Sequence, residues 1–78
     1  MNREAAFLAV LEIFRPFVKN EAGLTNATES TSILDDLKVN SARLVDIILA
    51  MEDRFEIEID DDSADKVRTI KDAVDLIL

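Results

Sequence analysis

The sequence predicts an all-α fold, a small helix bundle of three main helices plus one short helix, built as a single domain over residues 1–78. Two observations carry this expectation. Apolar residues recur at three- and four-residue spacing in three separate stretches, the signature of helices with one buried face. The one alternating run, Phe55 to Ile59 (F-E-I-E-I), has no second strand-like run to pair with, so it is read as an extended connection.

From Arg3 to Lys19 the apolar positions are Phe7, Val10, Leu11, Phe14 and Val18. Pro16 lies inside this pattern and lacks a backbone donor, so a kink or an early end is expected near Arg15. Residues 20–38 read as a long loop: the only glycine, Gly23, is followed by Thr25, Asn26, Thr28, Ser30, Thr31 and Ser32, whose short polar side chains favour turns. Ile33, Leu34 and Leu37 should pin that loop to the helices. Asn40 is a good N-cap for a helix from about Ser41 to about Phe55, with Leu44, Val45, Ile48, Met51 and Phe55 in period and Ile47 and Leu49 widening the stripe. An arc so wide suggests contact with more than one neighbour. Ser63 is expected to cap a short helical turn through Val67, and Thr69 with Asp72 three residues on opens a last helix with a capping box.

Composition narrows the chemistry. The chain has no cysteine and no histidine, which removes disulfides, thiolates and the usual general base, so an independent enzyme is not expected. The net charge is −8, from 17 acidic and 9 basic residues, and the bases do not cluster, which argues against nucleic acid. No export or membrane-spanning segment is visible and no membrane insertion is expected; a soluble, cytoplasmic monomer is. Residues 41–62 hold eight acidic residues against two basic ones and alone carry −6, either a solvated face or a docking surface for basic partners. The acidic run Asp60, Asp61, Asp62 lacks the ligand spacing and glycine of a calcium loop, so no metal site is expected.

The stretch D-D-L-K-V-N-S-A-R-L-V-D-I-I-L-A-M-E-D-R-F-E-I-E-I (Asp35 to Ile59), with V-R-T-I-K-D-A-V-D-L-I (Val67 to Ile77), resembles the acyl carrier protein family. There an acidic-leucine pair precedes a D-S-L motif at the start of an acidic helix ending in phenylalanine, followed by an I-x-I-like connection and a last helix opening near threonine. The resemblance implies an acyl-carrier-like fold and a 4'-phosphopantetheine arm attached to Ser41 by a phosphopantetheinyl transferase, its thiol holding acyl groups as thioesters. A sulfur borrowed this way explains how a chain without cysteine takes part in covalent chemistry.

Taken alone, Ser41 is no more than the first residue of a helix that Asn40 caps. The flanks depart from the family pattern: Asn40 replaces the aspartate, Ala42 the leucine, and Lys38 the usual glycine. Losing leucine removes apolar contact on the order of 1–2 kcal/mol if that side chain is buried on docking, leaving room for a permissive or dedicated transferase. Arg43, Asp46, Glu52, Asp53 and Glu56 are the expected docking residues for acyl or aminoacyl ligases and transferases with basic patches. Ile48, Met51, Ile57, Ile59 and Val67 are candidates for an acyl cleft, or plain core. Fatty acid, specialised lipid and polyketide synthesis are the expected settings; an aminoacyl carrier loaded by a stand-alone ligase, or an unmodified interaction module, are the alternatives.

Overall fold

Asn2 starts the first helix, α1 (Arg3–Phe14), by accepting the Ala5 N–H on its side chain at 2.8 Å. The computed structural model describes residues 2–78. α1 ends at Phe14, and Arg15–Phe17 tightens into a single 3-10 turn around Pro16 before Val18 turns extended. The early stop follows from the missing proline donor. Its buried line is Ala6, Val10, Ile13 and Phe14, with Phe7 and Leu11 only partly covered. The apolar line of the sequence is thus rotated, because α1 is apolar on nearly every side and its periodicity leaves the buried face open.

The stretch expected to be entirely loop holds a short helix, α2 (Glu21–Thr25), capped by the Asn20 side chain on the Gly23 N–H. Gly23 is there for space: a β-carbon would sit 2.8 Å from the Asp36 carbonyl oxygen. After α2 the chain folds back so that Ile33 and Leu37 are fully buried. The Ile33 N–H bonds to the Arg68 carbonyl at 3.0 Å, and the N–H groups of Ile70 and Lys71 bond to Thr31 and Glu29. These bonds stitch the long connection to the entrance of the last helix.

α3 (Ser41–Phe55) is the longest helix, with Ile47, Ile48 and Met51 buried. It ends at Glu56, which takes the left-handed conformation (φ 54°) and donates its N–H to the Glu52 carbonyl, a closure usually given to glycine. Residues 57–60 run extended to α4 (Asp61–Asp65). Asp60 is its N-cap, accepting the Ser63 N–H at 2.7 Å, so the expected start at Ser63 moves three residues upstream. An ionised cap followed by Asp61 and Asp62 suits the positive end of a helix better than a hydroxyl does. α5 (Ile70–Ile77) opens with the capping box of Thr69 and Asp72.

α1 packs against both α3 and α5. The fully buried Phe14, Ile33, Leu37, Ile47, Met51, Ile70 and Val74 form the centre. Arg3 ties α1 to the long connection and to α5 by pairing with Glu29 and, at 2.9 Å, with Asp75. The side chains of this trio are about two-fifths exposed, so it contributes alignment more than stability.

Candidate functional site

The site grows from the start of α3. Asn40 caps the helix by accepting the Arg43 N–H on its side chain at 2.8 Å, and its carbonyl accepts the Leu44 N–H at 3.0 Å. That leaves Ser41 as the first helical residue, exposed, its hydroxyl in no hydrogen bond among the described residues. The N–H groups of Ser41 and Ala42 are likewise unclaimed there, as expected for a first helical turn carrying the positive end of the dipole.

Ser41 stands at the edge of a groove of 630 Å³, within the size range of small-molecule sites. One wall is a face of α3: Leu44, Val45, Ile48, Leu49 and Glu52 follow Ser41 at three- and four-residue steps, so the wall runs about 16 Å from the hydroxyl. The other wall brings Leu34 from the loop, Ile59 from the extended connection, and Ala64 and Val67 from around α4; Asp61, Asp65 and Arg68 form a polar rim. Val45 (59% exposed), Leu49 (58%) and Leu34 (40%) are large apolar residues left open to solvent. Their convergence on one groove distinguishes them from scattered surface residues.

The expected cleft residues divide. Ile48, Ile59 and Val67 line the groove, whereas Met51 and Ile57 lie outside it. Met51 is fully buried because it shares the face of Ile47, four residues earlier, which points into the core. The expected docking residues divide as well. Arg43 and Asp46 pair with each other at 3.1 Å, while Asp53 and Glu56 are exposed and free of ion pairs among the described residues. Glu52 turns inward: its carboxylate accepts the Ile59 N–H at 3.0 Å and holds the extended connection against α3. Its role is to fix the groove wall.

Electrostatics firm up the same wall. The Ser63 N–H and hydroxyl hold the Asp60 carboxyl below its ordinary range. The Arg68 N–H, with the backbone and hydroxyl of Thr69, does the same for Asp72. Both carboxylates therefore stay charged and keep the entrances of α4 and α5 capped. Among the described residues no polar or charged side chain is buried, and no acidic cluster is tight enough to hold a metal ion.

The arrangement fits a phosphodiester-linked arm: an exposed, unengaged hydroxyl at a helix start, beside a groove leading away from it. The whole chain superposes on the acyl carrier protein from Enterococcus faecalis with a TM-score of 0.77 and 34% identity, over 99% of this chain and 95% of that one. Residues 10–77 match the pattern of the phosphopantetheine attachment site family. The chain belongs to that family: it is an acyl-carrier-protein-like carrier that binds phosphopantetheine, and such carriers are not enzymes but work with phosphopantetheinyl transferases and biosynthetic enzymes. No helix among the described residues is long and apolar enough to cross a membrane.

Sequence reasoning missed Leu34, Leu44, Val45, Leu49, Ala64 and Arg68 as groove residues. Val45 and Leu49 were legible only as core, since a helical stripe shows which residues are apolar and not which part of the stripe finds a partner. The available signal was its width, more than the core of a small domain uses.

Proposed function

We propose that Ser41 carries the 4'-phosphopantetheine arm and that the chain delivers acyl groups on it, as thioesters, to the enzymes of fatty acid, specialised lipid or polyketide synthesis. The observation that carries this reading is the exposed Ser41 at the start of α3, lining a groove whose α3 wall is mostly apolar. When bound, the arm supplies the thiol that the chain lacks. The protein's own contribution is to present the hydroxyl, to favour a phosphate beside the unclaimed N–H groups at the start of α3, and to offer Val45, Ile48, Leu49 and Ile59 as apolar cover for a hydrocarbon. Burying a methylene there contributes about 0.8 kcal/mol, so a few methylenes suffice to draw a chain out of water. That apolar cover favours an acyl over an aminoacyl cargo.

Asn40 and Ala42 flank the serine and bear on the choice of transferase. Asp46, Asp53 and Glu56 offer the negative surface on which basic patches of partner enzymes dock, with Arg43 a local positive exception. Incubation of the purified protein with coenzyme A and a panel of phosphopantetheinyl transferases tests the assignment. Intact mass should rise by one phosphopantetheine, and peptide mapping should place it on Ser41. Ser41→Ala should keep its helical circular dichroism and gain nothing. Modification at another residue, or refusal by every transferase while Asn40→Asp/Ala42→Leu is also refused, rejects the reading.

A further inference from the structure

Arg68 is a cation with no ion-pair partner among the described residues. Only its backbone is engaged: its N–H donates to Asp72 at 3.0 Å and its carbonyl accepts the Ile33 N–H at 3.0 Å. Ile33 in turn accepts the Val39 N–H on its carbonyl at 3.3 Å. These two bonds tie the backbone of Arg68 through Ile33 to that of Val39, two residues before Ser41. Ser41 and Arg68 line the same cavity. Glu52 and Ile59, bonded to each other, mark its far end.

The geometry points to Arg68 as the residue that holds the phosphodiester of the arm. This inference rests on the attachment at Ser41 proposed above. Arg68 is the only basic residue lining the groove, among three carboxylates, Glu52, Asp61 and Asp65. Glu52 is committed to Ile59, and neither Asp61 nor Asp65 takes the guanidinium. Arg43 and Lys38 are the other nearby cations by sequence, but Arg43 is two residues from Ser41 on α3, a spacing that does not share a helical face, and is paired with Asp46, and Lys38 does not line the groove. Lys66 does not line the groove. A guanidinium suits a phosphodiester because its planar fork donates two parallel hydrogen bonds to adjacent oxygens. Arg68 is a positioning residue here: by pinning the phosphate it sets the direction in which the rest of the arm leaves, along the α3 wall rather than out into solvent.

The test compares apo and holo protein by NMR, with loading verified by mass. Conversion to the holo form should shift the Arg68 Nε–H resonance and leave those of Arg43 and Arg54 in place, and the shift should fade as salt is raised. In holo Arg68→Gln the arm should become more mobile, with the population of the groove-directed form, read from contacts between the arm's methyl groups and Val45, falling about two- to five-fold, the range of a solvent-exposed ion pair. Arg68→Lys should restore part of it. An Arg68 signal unmoved by loading, a shift on Arg43 in its place, or unaltered arm mobility in Arg68→Gln overturns the inference while leaving the attachment intact. Failure to load Ser41 at all is a separate result that removes the attachment and the inference together.

Discussion

Lys38 sits with φ 57°, in the left-handed region, between two buried neighbours, Leu37 and Val39. The backbone there has little freedom to relax: the Leu37 N–H bonds to Ser32, the Val39 N–H to Ile33, and the Leu37 carbonyl accepts the Lys19 N–H. The lysine side chain is exposed and makes no ion pair among the described residues, so nothing offsets the strain. A residue with a β-carbon in that region costs about 1–2 kcal/mol, which glycine escapes. Glycine gives back about 0.5–1 kcal/mol through the greater freedom of its unfolded chain. Lys38→Gly is therefore expected to stabilise the fold by about 0.5–1 kcal/mol, raising Tm by about 2–8 °C for a domain of this size. Thermal unfolding by circular dichroism, with urea titration at unchanged m-value, measures it. Lys38→Ala is the control, since it removes the same charge and keeps the β-carbon; it should leave Tm nearly where it was. If Lys38→Gly proves no more stable than Lys38→Ala, the strain argument is wrong.

The core and the groove yield further expectations. Met51→Ala, at a fully buried position, should cost about 2–5 kcal/mol, a large part of the stability of so small a domain, and chemical denaturation reads it directly. Gly23→Ala forces a β-carbon to 2.8 Å from the Asp36 carbonyl and should cost about 1–3 kcal/mol by the same measurement. The Asp72 carboxyl is depressed by its bonds to Arg68 and Thr69, so its stabilising effect is complete above about pH 4, the ordinary carboxylate value, and is lost as pH falls through the lower folded value. The Tm gap between the protein and Asp72→Asn should accordingly be widest near neutrality and close on acidification; a gap that widens in acid contradicts the assignment. Val45→Ser/Leu49→Ser, at exposed positions, should leave Tm nearly unchanged while speeding hydroxylamine cleavage of a bound acyl thioester, because the chain loses its apolar cover.

The helices were legible where local chemistry decides them. Asn40 and the Thr69–Asp72 pair announce their helix starts in sequence, and both caps form as read. Pro16 announces a stop, and α1 ends two residues before it. What escaped was tertiary. α2 depends on Gly23 fitting against Asp36, a contact across thirteen positions of chain that no local propensity encodes. Ser63 looked like a cap, yet Asp60, an ionised acceptor three residues earlier, takes that place. At the site, the serine and its flanks were legible from their resemblance to known carriers. Glu52 was legible only as one more negative charge, because its bond to the Ile59 N–H requires knowing how the extended segment passes over α3.

The side of the groove opposite α3 includes α4, a helix of five residues none of which is buried. If the groove takes a hydrocarbon as proposed, this is the side that would give way at least cost, since α4 has no buried side chain to unseat. On that reading the groove's capacity would be set by what fills it, and an enzyme pressing on this one short segment would be placed to release the contents.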